Sequence, residues 1–91
     1  MSVKVRIPTQ LRPLAGGVGE VEVQASTVGE ALKALDATHP GFAERLFDDS
    51  GELRRFVNVF LGEEDVRFLE GPATTVPEGA VVSVVPAVAG G

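Results

Sequence analysis

Ser26-Thr27-Val28-Gly29-Glu30-Ala31-Leu32-Lys33-Ala34-Leu35 decides how the rest of this chain must be arranged. Thr27 and Glu30 have capping-box spacing, in which each side chain accepts a backbone N–H that the first helical turn leaves free. Val28, Ala31, Leu32 and Leu35 follow at i, i+3, i+4 and i+7, so one apolar stripe faces inward. The helix should end near Ala37 or Thr38, because Pro40 disfavours helical geometry at His39. One such helix covers one face of a small sheet and no more.

Working toward the N-terminus, Glu20 to Ala25 alternates, with Val21, Val23 and Ala25 on one face and Glu20, Glu22 and Gln24 on the other. Val3, Val5 and Ile7 alternate in the same way with Lys4 and Arg6, and the two strands should pair as a hairpin. Between them, Thr9 to Gly19 carries Pro13, Gly16, Gly17 and Gly19 and reads as a loose connection. Toward the C-terminus, Phe42 to Phe47 reads as a short helical turn and Asp48 to Gly51 as a chain reversal. Leu53 to Leu61 reads as a strand, Gly62 to Asp65 as a turn, Val66 to Phe68 as a short strand, and Ala80 to Val85 as the last strand. Strands with one main helix and no internal repeat predict a single α+β domain.

Leu53 to Leu61 is apolar on both faces: Phe56, Asn58 and Phe60 lie on one, Val57, Val59 and Leu61 on the other. Ala80 to Val85 is also apolar on both faces, apart from Ser83. Either the face away from the helix is a bare patch that docks other proteins, or loops 9–19 and 62–79 fold over it. The six residues 56 to 61 are therefore the docking candidates, with the face left open.

Composition narrows the function classes. Ninety-one residues, 44% hydrophobic and 23% charged, fit one small folded domain. No cysteine is present, which excludes disulfides, thiolate metal sites and a cysteine nucleophile. The single histidine, His39, has no nearby partner for a metal and reads as a loop residue. A formal charge of −5 opposes binding to nucleic acid and favours a partner with a basic face. The N-terminus alternates charged and apolar residues with no signal-peptide core, and no stretch is long enough to span a bilayer, so the cytoplasm is expected and a membrane is not. Gly17-Val18-Gly19 lacks the third glycine and the following helix of a dinucleotide fingerprint. Asp48 to Gly51 is too compact for a calcium loop, and Glu63-Glu64-Asp65 has no nucleophile or cavity beside it. No catalytic constellation emerges, so the chain is not expected to be an enzyme.

The end of the sequence, Pro86-Ala87-Val88-Ala89-Gly90-Gly91, carries the functional signal. Pro86 lacks an N–H and marks where a strand stops. Two glycines have no Cβ and pass through a narrow channel where backbone must come close. Extended, residues 87–91 would reach roughly 15–18 Å beyond the body. Residues 1–86 are thus expected to form the domain and residues 87–91 a flexible tail. Ala87, Val88, Ala89 and Gly90 would thread a partner's active site and offer the Gly91 carboxylate.

A one-helix sheet domain with such a tail resembles the ubiquitin-like β-grasp proteins, and among them the sulfur carriers of the MoaD/ThiS superfamily. Ile7-Pro8-Thr9-Gln10-Leu11-Arg12-Pro13, Gly16-Gly17, Phe56-Val57-Asn58, Glu64-Asp65-Val66-Arg67-Phe68 and the Pro-Ala-Val-Ala-Gly-Gly ending are similar to the CysO-type branch, which serves an alternative cysteine synthase. The resemblance implies a mixed four- to five-stranded sheet with one main helix across one face. It implies that Gly91 is adenylated by an ATP-dependent, E1-like activating enzyme and converted by a sulfur donor to a thiocarboxylate. In the cysteine branch a pyridoxal-phosphate cysteine synthase accepts the sulfur and a zinc metalloprotease releases the product. ATP, zinc and pyridoxal phosphate would then belong to the partners, with none bound by this chain. Carriers for molybdopterin, thiamine or sulfur-containing secondary metabolites, ubiquitin-like modifiers and a plain β-grasp interaction module share the same outline.

Overall fold

The computed structural model describes residues 1–54 and 57–86. β1 (Ser2–Arg6) and β2 (Glu20–Gln24) pair antiparallel, as their alternation predicts. α1 (Val28–Thr38) and the short α2 (Phe42–Leu46) follow. β3 (Val57–Leu61), β4 (Glu64–Asp65) and β5 (Val81–Pro86) complete one sheet in the order β2-β1-β5-β3-β4. β1 and β5 run parallel and the other neighbours antiparallel. A parallel pair cannot be joined by a tight turn, so nearly the whole chain intervenes between the two.

The helix starts where the capping residues place it. The Glu30 N–H donates to Thr27 Oγ1 at 3.2 Å, and the Ser26 N–H donates to Glu30 Oε1 at 2.9 Å. The return bond thus lands one residue before the cap and ties the end of the hairpin to the first turn. At its other end His39 is the C-cap, its N–H donating to the Leu35 carbonyl at 2.8 Å. Asp36 Oδ1 then accepts the N–H groups of Gly41 and Ala43 at 3.1 and 2.9 Å, satisfying donors that the start of α2 would leave free.

The Val28, Ala31, Leu32 and Leu35 stripe is fully buried against Val3, Val5, Val59, Val82 and Val84, with Phe42 and Leu46 closing one end. Burying each large apolar side chain contributes about 1.5–3 kcal/mol, so this cluster is the main source of stability. Packing around α1 is tight: a Cβ on Gly29 would lie 3.1 Å from the Pro72 carbonyl oxygen.

Four local readings are corrected. Thr9–Ala15 is a 3-10 helix that buries Leu11 and Ala15, because those two side chains complete the core beside α1. Val66–Phe68 is a 3-10 turn: Asp65 Oδ1 accepts the Arg67 N–H at 2.8 Å and bends the chain out of the sheet. The fourth strand is Glu64–Asp65 instead, read from sequence as part of a turn. A tight connection through Gly62, at φ 62°, brings it back beside β3. The third strand is shorter than Leu53 to Leu61, since Leu53 bridges to Phe47.

Candidate functional site

Register fixes what each face of the sheet presents. A row crosses all five strands, Glu20–Arg6–Ser83–Phe60–Asp65, on the face away from α1. Beside it lie Glu22–Lys4–Val81 on one flank and Asn58–Val85 on the other. The β1–β2 half is therefore charged. Its Arg6–Glu20 pair, 3.7 Å apart with both side chains exposed, contributes at most about 1 kcal/mol. The β5–β3 half is mostly apolar, with Val85 46% exposed and Asn58 and Phe60 half-buried.

Strand order explains why this half matters. β5 is the middle strand, and its last residue, Pro86, pairs with Val57. Val85 and Asn58 are the last open-face pair before Pro86, and residues 87–91 follow directly in sequence. The residues expected to thread and react, Ala87, Val88, Ala89, Gly90 and Gly91, lie outside the described residues, as does Phe56.

Of the docking candidates, Asn58 and Phe60 share this face with Val81, Ser83 and Val85. Val57 and Val59 do not: they are 6% and 1% exposed and belong to the core, because the two-residue alternation turns them toward α1. Leu61 is half-buried and packs against the same core. Of the two sets left open by the sequence, Val57, Val59 and Leu61 are the one on the helix side. Loops 9–19 and 62–79 also close the helix side: Leu11, Ala15, Val66 and Val76 join the core, and the Val28 N–H donates to the Thr74 carbonyl at 2.9 Å.

Arg67 was not singled out from sequence, and the structure gives it a definite place. Its guanidinium donates to Asn58 Oδ1 at 2.8 Å, to the Val57 carbonyl at 2.6 Å and to the Arg54 carbonyl at 2.8 Å. β4 is only two residues long, so the Arg67 side chain covers the stretch of β3 that β4 does not reach. A string containing Arg67 was visible, but its partners lie 9 to 13 residues away. No group of three His, Asp or Glu side chains suited to a metal occurs among the described residues, and no helix among them is long and apolar enough to cross a membrane.

A five-stranded mixed sheet carrying one main helix on one face is a ubiquitin-like β-grasp domain. The chain belongs to the ThiS family, whose profile matches residues 5–91. It is 47% identical over 93 residues to the sulfur carrier protein CysO of Mycobacterium tuberculosis, covering 100% of both chains. It is 46% identical over 66 residues to small archaeal modifier protein 3 of Haloferax volcanii, covering 72% of this chain and 71% of that one. Among solved structures, a chain of the Amycolatopsis orientalis BexX/CysO complex superposes with a TM-score of 0.92 at 42% identity, covering 98% of this chain and 99% of that chain.

Proposed function

We propose that this chain is a sulfur carrier whose own C-terminal carboxylate, on Gly91, is the group that reacts. A Gly91 oxygen attacks the α-phosphorus of ATP in an activating enzyme, releasing pyrophosphate and leaving an acyl-adenylate. A sulfur donor then adds sulfur at the acyl carbon and expels AMP, giving a thiocarboxylate. The adenylate is needed because a carboxylate oxygen is a poor leaving group, and AMP is a good one. The thiocarboxylate passes its sulfur to an acceptor, with cysteine biosynthesis the favoured destination and a pyridoxal-phosphate synthase and a zinc metalloprotease the favoured partners. A related sulfur-metabolite pathway, molybdopterin or thiamine, is the variant of the same chemistry. In this cycle ATP, zinc and pyridoxal phosphate are handled by partners, in the cytoplasm, and this chain is their co-substrate.

The observation that carries the reading is the full-length likeness to CysO, joined to a central strand that ends at Pro86, directly before the Ala-Val-Ala-Gly-Gly sequence. Intact mass of protein from its native host tests it: the C-terminal peptide should be about 16 Da heavier, sulfur replacing oxygen. A C-terminus that is never sulfurated in sulfur-replete cells would overturn it.

A second reading, attachment of Gly91 to lysines of other proteins, is favoured by the likeness to small archaeal modifier protein 3. The two share adenylation and diverge afterward. With O-phosphoserine and a cognate pyridoxal-phosphate synthase, the thiocarboxylated carrier should gain one cysteine residue at Gly91. A ladder of isopeptide conjugates in native lysate, with no such adduct, would favour the modifier.

A further inference from the structure

Arg67 determines which way the Asn58 amide points. A guanidinium has donors and no acceptor, so the atom of Asn58 that meets Arg67 at 2.8 Å must be the carbonyl oxygen Oδ1. The NH2 end is thereby turned away from Arg67. Among the described residues no acceptor takes it. Asn58 is half-buried on the open face, one position along β3 from Phe60's neighbour Val59 and directly opposite Val85. It thus offers a polar donor within the apolar half of that face, next to the last residue of β5.

The arrangement is fixed more firmly than one exposed hydrogen bond could fix it. The same guanidinium also holds the Val57 and Arg54 carbonyls, so it cannot swing away from Asn58 without leaving backbone acceptors unpaired. Rotating the amide by half a turn would set its NH2 against the guanidinium and lose the bond. Arg67 itself sits in a turn anchored by the buried Val66 and by the bond from its own N–H to Asp65.

We propose that Arg67 is a positioning residue that presents the Asn58 NH2 as a hydrogen-bond donor to the activating enzyme, which meets it with a carbonyl or carboxylate oxygen. This rests on the carrier reading. The occupant follows from position and chemistry: an enzyme that takes residues 87–91 engages the chain beyond the end of β5, where Val85 and Asn58 are the last open-face pair, and a donor there is matched by an acceptor. A second copy of this chain, placed across a twofold axis beside Asn58, would bring another NH2 donor where an acceptor is needed. That makes self-association the poorer fit.

The test is ATP–pyrophosphate exchange by the cognate activating enzyme, with the full chain as variable substrate and thermal melting in parallel. Asn58→Asp keeps the oxygen that Arg67 needs and replaces the donor by a second acceptor. KM for the carrier should rise tenfold or more, with kcat and melting temperature at their wild-type values. Asn58→Ala removes the donor without adding charge and should raise KM several-fold. Arg67→Lys leaves Asn58 in place but loses the forked grip, and should raise KM with a lower melting temperature. Asn58→Asp and Asn58→Ala both folded and both at wild-type KM would overturn the inference while leaving the carrier reading intact. A wild-type chain that supports no exchange would overturn the carrier reading and the inference together.

Discussion

Asn58 and Val85 face each other across β3 and β5, one step before Pro86 closes the strand. Their pairing places the open face beside the last residue of β5. A charge placed there should disturb docking without touching the core. Val85→Glu, at a site already 46% exposed, should raise the KM of the activating enzyme about tenfold, equivalent to about 1.4 kcal/mol. The melting temperature should move by no more than about 2–4 °C, since surface changes of this kind fall within about 0.5 kcal/mol. Equal KM for Val85→Glu and wild type would place the docking surface elsewhere.

Deleting Gly91, or adding one residue after it, should abolish sulfur loading and leave the fold unchanged. Among the described residues the core cluster runs from Val3 to Val84, and neither change alters any member of it. Circular dichroism and melting should match wild type while adenylation disappears. Normal adenylation of the shortened chain would sink the proposal that Gly91 is the reacting group.

The helix start should be worth a measurable fraction of the stability. Thr27→Ala removes the acceptor for the Glu30 N–H and should cost about 1 kcal/mol. In a domain of this size that lowers the melting temperature by roughly 4–8 °C. Thr27→Asp, which restores an acceptor, should recover most of the loss, and chemical denaturation is the direct check.

Two apolar residues should respond in opposite ways. Leu32 is fully buried on the inner face of α1, and Leu32→Ala should destabilise by about 2–5 kcal/mol. Phe68 is 85% exposed at the end of the 3-10 turn, and Phe68→Ser should change stability by less than about 0.5 kcal/mol. Urea melts of the two variants measure the contrast.

Asp48 should titrate below its ordinary value of 3.8. The cause is chiefly the Ser50 hydroxyl, donating to Asp48 Oδ1 at 2.6 Å, with further help from the Glu52 and Ser50 N–H groups. A carboxyl held low in the folded state stabilises the fold above its unfolded pKa. That stabilisation is lost as the pH falls through the folded value, so this turn should loosen only below about pH 4. Ser50→Ala should move the NMR titration midpoint of Asp48 upward; an unmoved midpoint would remove the hydroxyl as the cause.

The local signals were strong where chemistry acts over a few residues. Thr27, Glu30 and the Val28–Leu35 stripe set the helix, the alternation of Val3–Ile7 against Glu20–Ala25 set the hairpin, and the ending set the proposed chemistry. Period-two alternation also divided Phe56, Asn58 and Phe60 from Val57, Val59 and Leu61, yet it could not say which set faces the helix. That depends on strand order and register, which bring Arg6, Ser83 and Phe60 into one row from distant parts of the chain. The 3-10 turn at Val66–Phe68 and the packed Thr9–Ala15 segment were missed for the same reason. β-branched and aromatic residues favour a strand at Val66–Phe68, but a side-chain bond to Asp65 and a core place for Val66 outweigh that preference, while core places for Leu11 and Ala15 order a segment that reads locally as a loose connection. The grip of Arg67 on Asn58, Val57 and Arg54 is likewise invisible in one dimension, because it exists only where β4 stops short and leaves acceptors of β3 to be filled.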